Sequence, residues 1–240
     1  MRLSSEFLCY LVGSRNNNSD PDRIPPLAQL SKELGVSISS LREQMEVART
    51  MGFIEVRPRT GIRRMPYSFF PAVHESLSYS IALDRSQFLK FADMRNKLEA
   101  AYWYEAVQRL TPEDHEALQS LMARAWEKLR THPVQIPHTE HRELHLTIYG
   151  RLDNVFVQGI LEAYWKAYEA VGLNMYADYK YLEHVWEYHQ QIVDAICRGD
   201  YQAGYEALVE HKDLLLHGPL RPDQPANDLS PNHNSHGGSL

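Results

Sequence analysis

The rhythm of apolar residues along this 240-residue chain changes twice. LSSEFLCYLVG, near the N-terminus, spaces them as a helix does, and the polar run NNNSDPDRIPP then ends the pattern. LAQLSKELG reads as a short amphipathic helix closing on Gly35, a residue suited to the left-handed stop at a helix C-terminus. SISSLREQMEVARTMG opens on serines able to cap a helix and ends at Gly52. FIEVRPRTGIRRMPY then alternates apolar and polar side chains around Arg-Thr-Gly, the pattern of a two-stranded β-ribbon. From Ser86 the helical period returns and persists. QFLKFADMRNKLEAAYWYEAVQRL is one long amphipathic segment, and the next helix starts at Thr111-Pro112, a cap followed by proline at the first helical position. Further helical segments are expected over 138–152, 154–172, 178–198 and 200–217.

These elements divide the chain into a head at 1–66, a linker at 67–85, a helical domain at 86–217 and a tail at 218–240. The tail is rich in Pro, Asn, Ser and Gly and is expected to be disordered. The fold class is mainly α: an N-terminal winged helix-turn-helix followed by an all-α antiparallel helical bundle.

Charge sharpens this division. Residues 1–66 hold 10 Lys and Arg against 7 Asp and Glu, a net +3, whereas 67–240 hold 15 against 24, a net −9. A small basic head on an acidic body fits a DNA-binding module joined to a domain with another task. No apolar run reaches the roughly 18 residues of a membrane span. The short patch FLCYLVG lacks the flanks of a signal peptide, so none is expected. Two cysteines, Cys9 and Cys197, are too few for a disulfide framework and fit a reducing cytoplasm.

In a winged helix-turn-helix the second helix enters the major groove N-terminus first, which nominates Ser39, Ser40 and Arg42. Arg42 has the fork that reads guanine. The ribbon carries Arg57, Arg59, Arg63 and Arg64 around Thr60-Gly61, suited to phosphates or the minor groove. The competing reading is a basic hairpin that contacts protein.

HTEHRELH, at 138–145, holds the first candidate chemistry of the body. His141 and His145 are four residues apart, so both rings share one helical face about 6 Å apart. His189 and His211 flank the turn Arg198-Gly199-Asp200, ten residues before Gly199 and twelve after it. At the rise of an α-helix each ring lies about 15–18 Å from the turn, nearly level across an antiparallel hairpin. Four imidazoles meeting in a bundle core suit Zn²⁺, with Ni²⁺ as the alternative, and do not suit the oxygen-seeking Ca²⁺ or Mg²⁺. Core histidines satisfied by their neighbours are the competing reading. His138 and His184 are peripheral, and His184, five residues before His189, points to a different face. Arg95, on the mainly apolar face of its helix, wants an anion, which an effector or Glu99 four residues on would supply.

LSKELGVSISSLREQMEVARTMGFIEVRPRTGI resembles the DNA-binding domain of the GntR family of bacterial transcription regulators, through LGVS, LRE and the GFI-to-TGI ribbon. The helical body resembles the FCD effector domain of that family's FadR branch. The resemblance implies DNA contacts from Ser39, Ser40, Arg42, Thr60 and Gly61. It also implies a metal held by an Asp-x3-His pair and two later histidines, with an arginine matching Arg95 near the effector pocket. His141 stands where the family has Asp, so the site loses an anionic ligand. Ile38, Ala28 and Arg59 stand where the family has two arginines and a glycine, which puts a different operator in view.

The expectation is a cytoplasmic transcription regulator, acting as a homodimer on a pseudo-palindromic double-stranded operator. A small carboxylate effector would join the metal and meet Arg95. One rival is a histidine-rich metalloenzyme with Glu140 or Glu143 as base. The other is a sensor in which the ion itself is the effector.

Overall fold

The computed structural model describes residues 3–13, 20–58, 61–171 and 179–217, with side chains described up to His211 in the last segment. The head comprises helices α1 (Glu6–Gly13), α2 (Leu27–Leu34) and α3 (Ile38–Thr50), and strands β1 (Arg23–Ile24), β2 (Ile54–Arg57) and β3 (Gly61–Arg64). The strands form an antiparallel sheet in the order β1-β3-β2, with Val56 opposite Ile62 and Ile24 opposite Ile62 on the other side. The expected two-stranded ribbon therefore gains an edge strand from within the polar break. Arg64 N–H donates to the Asp22 carbonyl (2.8 Å), and the Ile24 side chain is buried. Gly35 takes φ 67° at the end of α2, and Ser37 Oγ accepts from Ser40 N–H at the start of α3. The head core is Phe7, Leu30, Leu41, Ala48 and Ile54.

Seven helices follow among the described residues: α4 (Phe70–Leu83), α5 (Gln87–Val107), α6 (Pro112–Leu129), α7 (His138–Tyr149), α8 (Val155–Val171), α9 (Tyr179–Arg198) and α10 (Tyr201–His217). The segment 67–85, expected to be a linker, thus contains a 14-residue helix packed along α8. Gly159 permits this approach, since a Cβ there would lie 2.6 Å from Phe70 N. Thr111 and Asp114 form a reciprocal capping box around Pro112, as Thr-Pro at that site leads one to expect. Gly199, at φ 73°, turns α9 into α10.

The main core gathers Trp103, Leu118, Tyr149, Trp186 and Ile192, and a second cluster joins Phe88, Tyr164 and Trp165. Trp103 Nε1–H donates to the Tyr201 carbonyl (2.8 Å), and Gly204 leaves room for its ring. Head and body meet through Phe53, Tyr67, Phe156 and Phe69, whose ring centroids follow one another at 6.2, 6.1 and 5.2 Å. The tail at 218–240 lies outside the described residues. No described helix is long and apolar enough to cross a membrane.

Candidate functional site

Three helices bring four histidines together: α7 supplies His141 and His145, α9 supplies His189 and α10 supplies His211. One nitrogen from each ring lies within 4.8 Å of the others. The hairpin argument holds in detail, since His189 and His211 have ring centroids 4.3 Å apart. His141 is 4.6 Å from His189 by the same measure, and His145 Nε2 is 3.2 Å from His189 Nε2. His145, His189 and His211 are at most 2% exposed. His141 is partly exposed, yet its Nε2 is buried and has no hydrogen-bond partner among the described residues.

This donor set fits a transition metal. Burial pushes His141 and His189 well below the ordinary imidazole range, reinforced for His141 by His145 and His211 and for His189 by His141 and His145. Both rings are therefore neutral and carry the lone pairs a metal needs. A tetrahedral shell with metal–nitrogen bonds of about 2.0–2.1 Å sets its nitrogens about 3.3 Å apart. The His145–His189 nitrogen separation of 3.2 Å matches that value, and all four nitrogens lie within 4.8 Å of one another. Trp165 and Trp186 pack on His141, at 4.6 and 5.8 Å between centroids, and wall the site on its apolar side.

Arg95 lies behind the histidines, 2% exposed. Its Nη2 is 2.9 Å from Glu99 Oε1, its Nη1 donates to Asn96 Oδ1 (3.1 Å), and its guanidinium sits 4.6 Å from the Tyr164 ring and 5.0 Å from Trp165. Of the two anions considered for it, this structure supplies Glu99. That carboxylate also lies 3.2 Å from His145 Nδ1, a tertiary contact that no local spacing announces. His184 is exposed and pairs with Glu187, and His138 is outside the cluster. Glu140 is buried against Lys128 (2.8 Å) and Glu143 faces Arg124 (3.6 Å), so neither candidate base is available to the histidines.

In the head, Ser39 and Arg42 are exposed and Ser40 is half-buried, all in the first turns of α3. Gln44 anchors that helix: its Oε1 accepts from Phe7 N–H (2.9 Å) and its Nε2 donates to Glu6 (3.1 Å). Arg59 and Thr60 lie outside the described residues, and Gly61 opens β3 at φ 90°. Arg63 is held by Asp20 through two hydrogen bonds and Arg57 by Glu55 (2.8 Å), so these two already have acidic partners.

The chain thus joins a winged helix-turn-helix to a helical bundle with a buried histidine cluster. The FCD domain matches residues 90–214, more than half of the chain. The chain belongs to that family, and it is a GntR-type regulator rather than an enzyme. The "Putative L-lactate dehydrogenase operon regulatory protein" of Escherichia coli (strain K12) is 25% identical over 201 residues, covering 80% of this chain and 76% of its own. The protein of that description from Shigella flexneri matches equally. Among solved structures, Streptococcus agalactiae GntR aligns with a TM-score of 0.64 at 19% identity, over 88% of this chain and 96% of its own. E. coli McbR/YncC aligns with a TM-score of 0.50 at 18% identity, over 82% and 87%. At these identities the structural matches speak for the fold alone.

Proposed function

We propose that this regulator binds one divalent transition metal through His141, His145, His189 and His211, and that a small carboxylate effector completes the coordination. The observation that carries this reading is the convergence of four imidazole nitrogens within 4.8 Å, one of them buried without a hydrogen-bond partner. Zn²⁺ suits that donor set best, with Ni²⁺ next. Bound metal would supply a Lewis-acidic cation to which an effector anion can attach. His141 is the least buried of the four rings, so an effector would approach on its side. The name of the curated relatives, an L-lactate dehydrogenase operon regulator, supports a small hydroxy-acid as effector class.

The protein acts in the cytoplasm as a homodimer on a pseudo-palindromic operator, because paired heads add the affinity and half-site spacing that one head lacks. Ser39, Ser40 and Arg42 read the major groove, and the wing residues Arg59, Thr60 and Gly61 meet the backbone. The effector changes DNA affinity by favouring one arrangement of the heads.

Elemental analysis of purified protein is the first test. Near one metal per chain is expected, lost in the double variant His189→Ala, His211→Ala. Full content in that variant would remove the ligand set. A metal sensor is the second reading, favoured by four nitrogen ligands that can fill a tetrahedral shell. It predicts that metal alone shifts operator affinity and that added carboxylates do not.

A further inference from the structure

We infer that Glu99 is a positioning residue for His145, fixing which ring nitrogen faces the metal, and that Arg95 serves Glu99 rather than the effector. This inference rests on the metal reading above. One carboxylate oxygen carries the argument: Glu99 Oε1 is 2.9 Å from Arg95 Nη2 and 3.2 Å from His145 Nδ1. The opposite edge of the same imidazole, Nε2, points into the cluster, 3.2 Å from His189 Nε2.

A neutral imidazole has one N–H and one lone pair, and its surroundings decide which nitrogen has which. With Glu99 at Nδ1, the proton belongs on Nδ1 and the lone pair on Nε2, facing the metal. The opposite tautomer would set a lone pair against a carboxylate and aim an N–H at the cation. A carboxylate behind a ligating histidine also raises the basicity of the ring. Glu99 is 1% exposed, so its charge needs a counterion, and Arg95 provides it from one turn back along α5. Asn96 and the faces of Tyr164 and Trp165 hold the guanidinium in turn.

A purely structural ion pair explains less. Buried ion pairs are seldom better than apolar packing for stability, and this one directs its shared oxygen at a third group. Because Arg95 and Glu99 cancel in charge, the net positive charge that draws an effector anion is that of the metal.

The test uses full-length protein and Zn²⁺, with a chromophoric chelator as competitor. The variants are Glu99→Gln, which keeps the shape, and the double variant Arg95→Met, Glu99→Leu, which removes both charges together. Zinc affinity is expected to fall roughly 10- to 100-fold in both, while the zinc-free double variant keeps its helical circular dichroism. Nitrogen NMR of zinc-free wild-type protein should show His145 protonated on Nδ1 alone, and the double variant should show mixed tautomers. A purely structural pair would leave that signature unchanged. Zinc affinity within twofold of wild type in both variants, or a wild-type His145 protonated on Nε2, would overturn the assignment of Glu99 while leaving the four-histidine site intact. Failure of wild-type protein to take up zinc would overturn the metal reading and this inference with it.

Discussion

Gly159 is where helix α4 presses on α8, and replacing it with alanine sets two known effects against each other. Alanine inside a helix is worth about 1 kcal/mol over glycine. The added Cβ would lie 2.6 Å from Phe70 N and 2.8 Å from both Phe69 C and Phe69 Cβ. Two of these atoms are backbone, so the contact cannot be relieved by turning a side chain. Forcing a methyl group into such a site costs about 1–3 kcal/mol, and backbone contacts place this one toward the upper end. The clash therefore outweighs the propensity gain, and Gly159→Ala should destabilise by about 1–2 kcal/mol net. For a chain of this size that lowers the melting temperature by roughly 2–8 °C. Gly13→Ala is the control, because nothing lies within 4 Å of a Cβ there. Circular-dichroism melts of the three proteins decide the matter. A Gly159→Ala protein melting at or above wild type would refute the close contact, and with it the packing of α4 on the body.

Arg42→Ala should weaken operator binding by roughly 10- to 100-fold, the loss of one forked base contact, with an unchanged helical spectrum; a mobility-shift titration reads this. Raising salt should reduce DNA affinity along a log–log slope of roughly −0.9 per phosphate neutralised, and a flat slope would contradict the role given to the head. With chelator present, thermal stability should be complete above the ordinary imidazole value of 6.5 and decline as pH falls below it. The unfolded chain then takes up protons that buried His141 and His189 refuse, which melts across about pH 5–8 would show. Zinc at about a thousandfold above its Kd should add about 4 kcal/mol, raising the melting temperature by roughly 8–16 °C.

Features fixed by local chemistry were legible before any coordinates. Gly35, Gly52 and the Thr111-Pro112 pair stop and start helices through backbone conformation and capping, which neighbours in sequence decide. The histidine cluster was legible because a tight turn at Gly199 makes register across the hairpin a matter of counting. Helix α4 was not. Its segment FPAVHESLSYSIAL buries only Leu77 below the surface and leaves Tyr79 and Leu83 largely exposed, so no apolar stripe marks it as a helix. Strand β1 is two residues long, too short for alternation to register. The Arg63–Asp20 pair and the Glu99–His145 contact join residues distant in sequence, and only the packed fold brings them into range. The i, i+4 spacing of Arg95 and Glu99 offered half of the second contact, because it placed the two on one face without indicating what lay opposite.

X-ray absorption at the zinc edge of metal-loaded protein tests the account's central claim most directly. It should show a first shell dominated by imidazole nitrogen at about 2.0–2.1 Å, with the multiple-scattering pattern of four rings at one metal per chain. A shell of oxygen, or a fit needing no more than two imidazoles, would contradict it.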